Sequence, residues 1–88
     1  MQSPDSLACR VCGLLAGEPP WGQDGRSPLY DFCPCCGVEH GYQDSSVAGA
    51  RKFRAAWQAA GGEWEDVRSK PANWSLELQL EYVPAAFR

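Results

Sequence analysis

The stretch FCPCCG, residues 32–37, places three cysteines within four positions. Its outer two cysteines form a C-x2-C pair followed by glycine, and the segment CRVCG, residues 9–13, has the same pattern. The chain therefore reads C-x2-C-x20-C-x2-C, a spacing typical of a zinc site. This spacing predicts one closed, tetrahedral metal site with four thiolate ligands, which are Cys9, Cys12, Cys33 and Cys36.

The other thiol chemistries are less well supported by the sequence. The fifth cysteine, Cys35, is expected to be a free thiol that packs in the fold. As a nucleophile it would need a base, and His40 is the only histidine of the chain, with no third group apparent to orient it. We therefore predict that the protein is not an enzyme, and that His40 packs at the edge of the fold beside Tyr42. A tetrathiolate site also binds iron, as in rubredoxins, so zinc and iron both stay open.

The composition bounds the size and class of the fold. The chain has 88 residues, with nine glycines and seven prolines. A single domain of this size is only marginally stabilised by an apolar core, and a bound metal ion commonly supplies additional folding stability. We predict a small α+β metal-bound domain over residues 1–88, divided into a metal ribbon (7–43), a helix (44–62) and a C-terminal closing segment (63–88).

Local patterns place the elements of this domain. In the ribbon, the run LYDF, residues 29–32, suits a strand that delivers Cys33, and Trp21 is expected to cover the small core. The helix is expected to begin at one of the capping residues 44–46 and to end at Gly61. Its apolar stripe, predicted to face the core, is Val47, Ala50, Phe53, Trp57 and Ala60. The opposite, solvated face is predicted to carry Arg51, Arg54 and Gln58.

The closing segment gives conflicting signals. Apolar residues alternate from Trp74 to Tyr82, which favours a strand. The residue types favour a helix instead, capped by Asn73 or Ser75 and ended by Pro84. Pattern and propensity leave both structures open.

The charge distribution limits the partners. The formal net charge is −3, and residues 1–46 hold two arginines against six carboxylates, so this half is acidic. An acidic surface repels phosphate backbones, which makes nucleic acid an unfavourable partner and a basic protein a favourable one. The N-terminal residues lack the features of an export signal, and no apolar run has membrane-spanning length, so we expect a cytoplasmic protein without a membrane partner.

Three segments of the chain resemble a group of small bacterial cysteine-rich proteins with a CPCC motif in a zinc-ribbon-like start. They are PPWGQDGRSPLYDFCPCCGVEHGYQD (19–44), AAWQAAGGEW (55–64) and KPANWSLELQL (70–80). The resemblance implies the same four cysteine ligands and a short helix in the last segment. The residues that match the later motifs are Trp57, Gly61, Trp64, Asn73, Trp74, Gln79 and Leu80. His40 departs from the pattern, because an aromatic residue is more usual there.

These observations predict a non-enzymatic zinc-binding protein-interaction module with one structural zinc. A bacterial immunity protein that inhibits a basic toxin domain by binding it would have this size and charge. One alternative is a rubredoxin-like iron electron carrier. The other is a zinc-ribbon accessory protein that binds nucleic acid through Arg51, Lys52 and Arg54, against the net charge.

Overall fold

A computed structural model describes residues 4–88. Helical structure within this range consists of three α-helices and two 3-10 turns, which are α1 (Pro4–Leu7), α2 (Val47–Ala59), the turn Val67–Ser69, α3 (Leu76–Leu80) and the turn Ala85–Phe87. The radius of gyration, 11.8 Å, matches the value of about 12 Å expected for a compact chain of this length. None of the helices in residues 4–88 combines the length and apolar character needed to cross a membrane.

Regular strands are nearly absent from residues 4–88, which differs from the α+β ribbon that the sequence predicts. Extended pairing consists of two isolated antiparallel bridges, Ala8 with Leu15 and Phe32 with Glu39. The predicted strand at residues 29–32 is interrupted at Tyr30, whose φ of 57° lies in the left-handed region. A non-glycine residue there costs about 1–2 kcal/mol and cannot continue a strand.

Helix α2 follows the predicted segment closely. Ser46 caps it by accepting a hydrogen bond from the backbone N–H of Gly49 at 2.9 Å. The chain leaves the helix through Gly61 and Gly62, both with positive φ. The predicted stripe is buried only in its middle: Ala50 and Trp57 are buried and Phe53 is partly buried, whereas both ends of the stripe, Val47 and Ala60, are exposed.

The hydrophobic core is arranged around the cysteines. All five cysteines are buried, and they pack with Val11, Val38, Ala50, Trp57 and Trp64. Sulfur and a few small or aromatic side chains therefore replace the larger aliphatic core that 88 residues cannot provide.

The closing segment forms a helix where the pattern left helix and strand open. Ser75 caps α3 by accepting from the backbone N–H of Leu78 at 3.3 Å. Leu76 and Leu80, four residues apart, pack against the core, while Leu78 is exposed. In a strand, Leu76, Leu78 and Leu80 would share one face. Leu78 is exposed while the other two pack against the core, so the apolar alternation does not indicate a strand here.

The sequence placed Arg54 on a solvated face of α2, and this prediction is wrong. Its guanidinium donates to the backbone oxygens of Val11 (2.6 Å), Arg10 (2.9 Å) and Phe87 (2.6 Å). One side chain of α2 thus fastens both the first cysteine turn and the C-terminal 3-10 turn. Helical periodicity alone could not reveal this, because those acceptors come from distant parts of the chain.

Replacing Arg54 by methionine should remove these three hydrogen bonds while keeping most of the aliphatic stem. Hydrogen bonds to charged groups each contribute about 1.5–3 kcal/mol. Arg54 is only partly buried, so water offsets part of the loss of three such bonds, and we expect Arg54→Met to lower the free energy of unfolding by at least about 3 kcal/mol. The measurement is urea denaturation at a fixed metal concentration. Lys52→Met changes the charge equally at an exposed position of the same helix and should cost less than about 0.5 kcal/mol; equal losses would contradict the anchoring role.

Candidate metal centre

Two short turns with the same backbone geometry present the cysteine pairs. In the first, the N–H of Gly13 donates to the carbonyl of Cys9 at 3.0 Å, and in the second the N–H of Gly37 donates to that of Cys33 at 2.9 Å. Both glycines have φ near 80°, which glycine adopts without steric cost. Each turn therefore brings its two thiols to the same side of the backbone.

The two turns face each other and bring the four predicted ligands together. The Sγ atoms of Cys9, Cys12, Cys33 and Cys36 all lie within 4.8 Å of one another. The Cys9–Cys36 and Cys12–Cys33 pairs are each 3.7 Å apart. A tetrahedral zinc ion with bonds of about 2.3 Å requires sulfurs about 3.8 Å apart, so the donor set and its spacing fit such an ion.

The protonation chemistry of the cluster also suits a cation. The hydrogen bond shared with Cys33 raises the pKa of Cys12 well above its usual value, and burial acts in the same direction. The same hydrogen bond with Cys12 lowers the pKa of Cys33. Four thiols this close cannot all ionise in a buried site on their own. A divalent ion would remove that restriction by taking the place of the protons.

Cys35 lies outside the four-sulfur group, although it is fully buried. The side-chain amide of Gln79 donates to the Cys35 sulfur and to the carbonyl of Cys12, both at 3.2 Å. The amide oxygen of Gln79 accepts from the Trp74 indole at 2.7 Å, and the Trp74 ring meets Trp64 edge-on with centroids 5.6 Å apart. Helix α3 is thus joined to both cysteine turns through Gln79.

The sequence predicted that His40 packs at the edge of the fold beside Tyr42, and this prediction is wrong. His40 is buried, whereas Tyr42 is 69 % exposed. The Nδ1 atom of His40 lies 3.0 Å from a carboxylate oxygen of Asp44. Burial lowers the pKa of His40, but hydrogen bonds with Asp44 and Cys33 raise it to about 10. His40 thus belongs to the shell around the ligands and not to the ligand set.

Asp44 anchors this shell, a role that sequence reasoning missed. Its carboxylate is fully buried and also accepts from the Trp21 indole at 2.9 Å and from the Gly41 N–H at 2.8 Å. Burial raises the pKa of Asp44, yet these hydrogen bonds together lower it below its usual value. Trp21 in turn stacks on the guanidinium of Arg10, 3.9 Å from the ring centroid. The i, i+4 spacing of His40 and Asp44 was the one signal in the sequence for this contact.

No protein-family model, curated protein or solved structure matches this chain. The assignment of a function therefore depends on the sulfur cluster and on the surfaces around it.

Metal content should separate the ligands from the fifth cysteine. Cys33→Ser removes one of the four donors. We therefore expect the purified variant to contain no metal and to show no cooperative unfolding transition. Cys35→Ser keeps all four donors and should retain one metal per chain. Elemental analysis combined with thermal unfolding measures both properties. Loss of metal from Cys35→Ser would show that the ligand assignment is wrong.

Gly13→Ala should test how closely α3 approaches the first cysteine turn. A Cβ at position 13 would lie 2.3 Å from the backbone oxygen of Gln79, in addition to the strain of a φ of 83°. Gly25 has a φ of 73° but open space around it, so Gly25→Ala should cost only the strain, about 1–2 kcal/mol. We expect Gly13→Ala to lower the free energy of unfolding by at least about 3 kcal/mol. Denaturation of the two variants side by side measures the difference, and equal effects would contradict the close approach.

Proposed function

We propose that this protein is a non-enzymatic zinc-binding module that recognises another protein. The completeness and burial of the sulfur set carry this proposal: four thiolates fill all four tetrahedral positions, and the most exposed of them, Cys36, is 6 % exposed. A closed site of this kind leaves no position for water or a substrate, so the metal has a structural and not a catalytic role.

The structural role of the zinc follows from its position in the core. The cysteines make up half of the main buried cluster, and Arg54 and Gln79 attach α2 and α3 to the cysteine turns. In zinc-finger peptides, metal binding contributes on the order of 10–16 kcal/mol to folding. A comparable contribution would account for the stability of a chain with so few large aliphatic side chains in its core.

Recognition of a protein partner is supported by the surface. Three aromatic side chains are largely exposed, Tyr30 (64 %), Phe32 (65 %) and Tyr42 (69 %). Exposed aromatic residues are favoured anchors of protein interfaces. The net charge of −3 favours encounters with a basic partner and opposes binding to phosphate backbones.

A finer proposal is that the module is a bacterial immunity protein that inhibits a toxin by binding it. Its support is the small size, the acidic charge and the exposed aromatic side chains, together with the resemblance to small bacterial proteins. Inhibition by occlusion requires an affinity surface and no chemistry of its own, which agrees with a closed metal site.

Metal analysis of protein purified from its native host tests the role of the site. We expect one equivalent of zinc, no visible colour, and loss of the fold when a strong chelator removes the metal, since the ligands cannot remain clustered as free thiolates. Red protein with one equivalent of iron would contradict the zinc assignment and favour the electron carrier.

The immunity proposal is tested with the products of the neighbouring genes. We expect one of them to be a basic protein that arrests growth of a bacterial host when expressed alone and is tolerated when this chain is co-expressed. Purified together, the two should form a stable complex, measured by size-exclusion chromatography and calorimetry. Growth arrest that co-expression does not relieve, with no complex, would contradict the proposal.

A further inference from the structure

A surface cleft of about 430 Å³ lies beside the metal centre. Two of the cysteine ligands, Cys9 and Cys33, form part of its lining. Its walls combine apolar side chains with two carboxylates, which are Leu14, Pro20, Leu29 and Phe32 for the apolar part and Glu18 and Asp31 for the acidic part. We call it the acidic cleft.

The acidic cleft carries uncompensated negative charge. No lysine or arginine lines it, and among residues 4–88 neither Glu18 nor Asp31 forms an ion pair. The one histidine in its lining, His40, lies 3.0 Å from the carboxylate of Asp44 and not beside either cleft carboxylate as an ion pair. Four thiolates around a divalent ion would add a charge of about −2 beneath the cleft. The cleft therefore favours a cation.

The geometry favours an organic cation over a metal ion. Within residues 4–88, the four cysteines are the one cluster of potential ligand side chains close enough to hold a metal, and Glu18 and Asp31 are not part of it. An arginine side chain suits the rest of the lining, because its aliphatic stem packs on apolar walls and its planar guanidinium stacks on an aromatic ring while bonding a carboxylate. Phe32 offers such a ring, being 65 % exposed at the cleft.

We propose that the acidic cleft binds an arginine side chain presented by a basic segment of a partner protein. This inference rests on the proposed function, since it names the surface through which the module recognises its partner. Phe32 and Leu29 would flank the side chain, and Glu18 and Asp31 would bind its charge. The same charges exclude nucleic acid from this face.

The test is a titration of the metal-loaded protein, labelled with nitrogen-15, with a capped peptide of sequence Gly-Arg-Leu-Arg-Gly. We expect the peptide to shift the backbone amides of residues 14–18 and 29–33, with affinity that falls as salt is added. A peptide with glutamate in place of both arginines should cause no shifts. Shifts centred elsewhere, or no binding of the arginine peptide, would overturn the proposal.

Matched variants locate the binding energy. Glu18→Gln combined with Asp31→Asn should weaken peptide binding about tenfold, and Phe32→Ala by a similar factor. Glu63→Gln with Glu81→Gln makes the same change in net charge at exposed positions outside the cleft, and Val67→Ala truncates another exposed apolar residue. Both controls should bind within twofold of the original protein. Equal weakening by the controls would mean that net charge, and not the cleft, attracts the peptide.

Two further outcomes separate this inference from the proposed function. If a purified protein partner binds the Glu18→Gln, Asp31→Asn variant as tightly as the original chain, the cleft proposal is wrong while the interaction module stands. If the protein sediments as a dimer that this variant dissociates, the occupant of the cleft is a second copy of the chain, which also overturns the proposal. If the partner binds the Glu18→Gln, Asp31→Asn variant about tenfold more weakly than the original chain, the result supports both the cleft proposal and the interaction module.

Discussion

Four sulfur atoms from two distant turns meet in a buried space, and the rest of the fold depends on their remaining together. Thiolates held 3.7 Å apart repel one another unless protons or a cation compensate them. A bound metal ion would provide this compensation, and the two turns could then pack face to face with all four sulfurs ionised. The other segments are fastened to this centre from outside, α2 through Arg54 and α3 through Gln79.

Hydrogen bonds around the cysteine turns connect the centre to the surface. On one side, His40 bonds to Asp44, which in turn holds Trp21. On the other side, Gln79 joins the Cys12 carbonyl to Trp74. Such outer contacts fix the orientation of metal ligands. A partner that bound at the surface beside the centre would meet a hydrogen-bonded support, which would limit the entropy lost on association.

The sequence was most informative where function depends on short-range spacing. Two C-x2-C pairs followed by glycine suffice to single out the four cysteines whose sulfurs the structure brings together, because each turn is closed by its own backbone. The helix ending at Gly61 could be read for the same reason. Prediction was poorer for side chains whose partners are remote in sequence: Arg54 was assigned to solvent and His40 to the edge of the fold, and the strand expected at residues 29–32 is interrupted at Tyr30.

The sequence by itself determined which cysteines belong to the two C-x2-C turns, where the main helix begins and ends, and the acidic character of the chain. Only the tertiary structure decided that the tail is helical, that Asp44 is buried with three donors, and that Glu18 and Asp31 share a cleft with Phe32. The physical reason is that spacing and propensity act within a turn or two of the chain. Burial, charge neighbourhood and the choice between helix and strand are set instead by contacts between segments tens of residues apart.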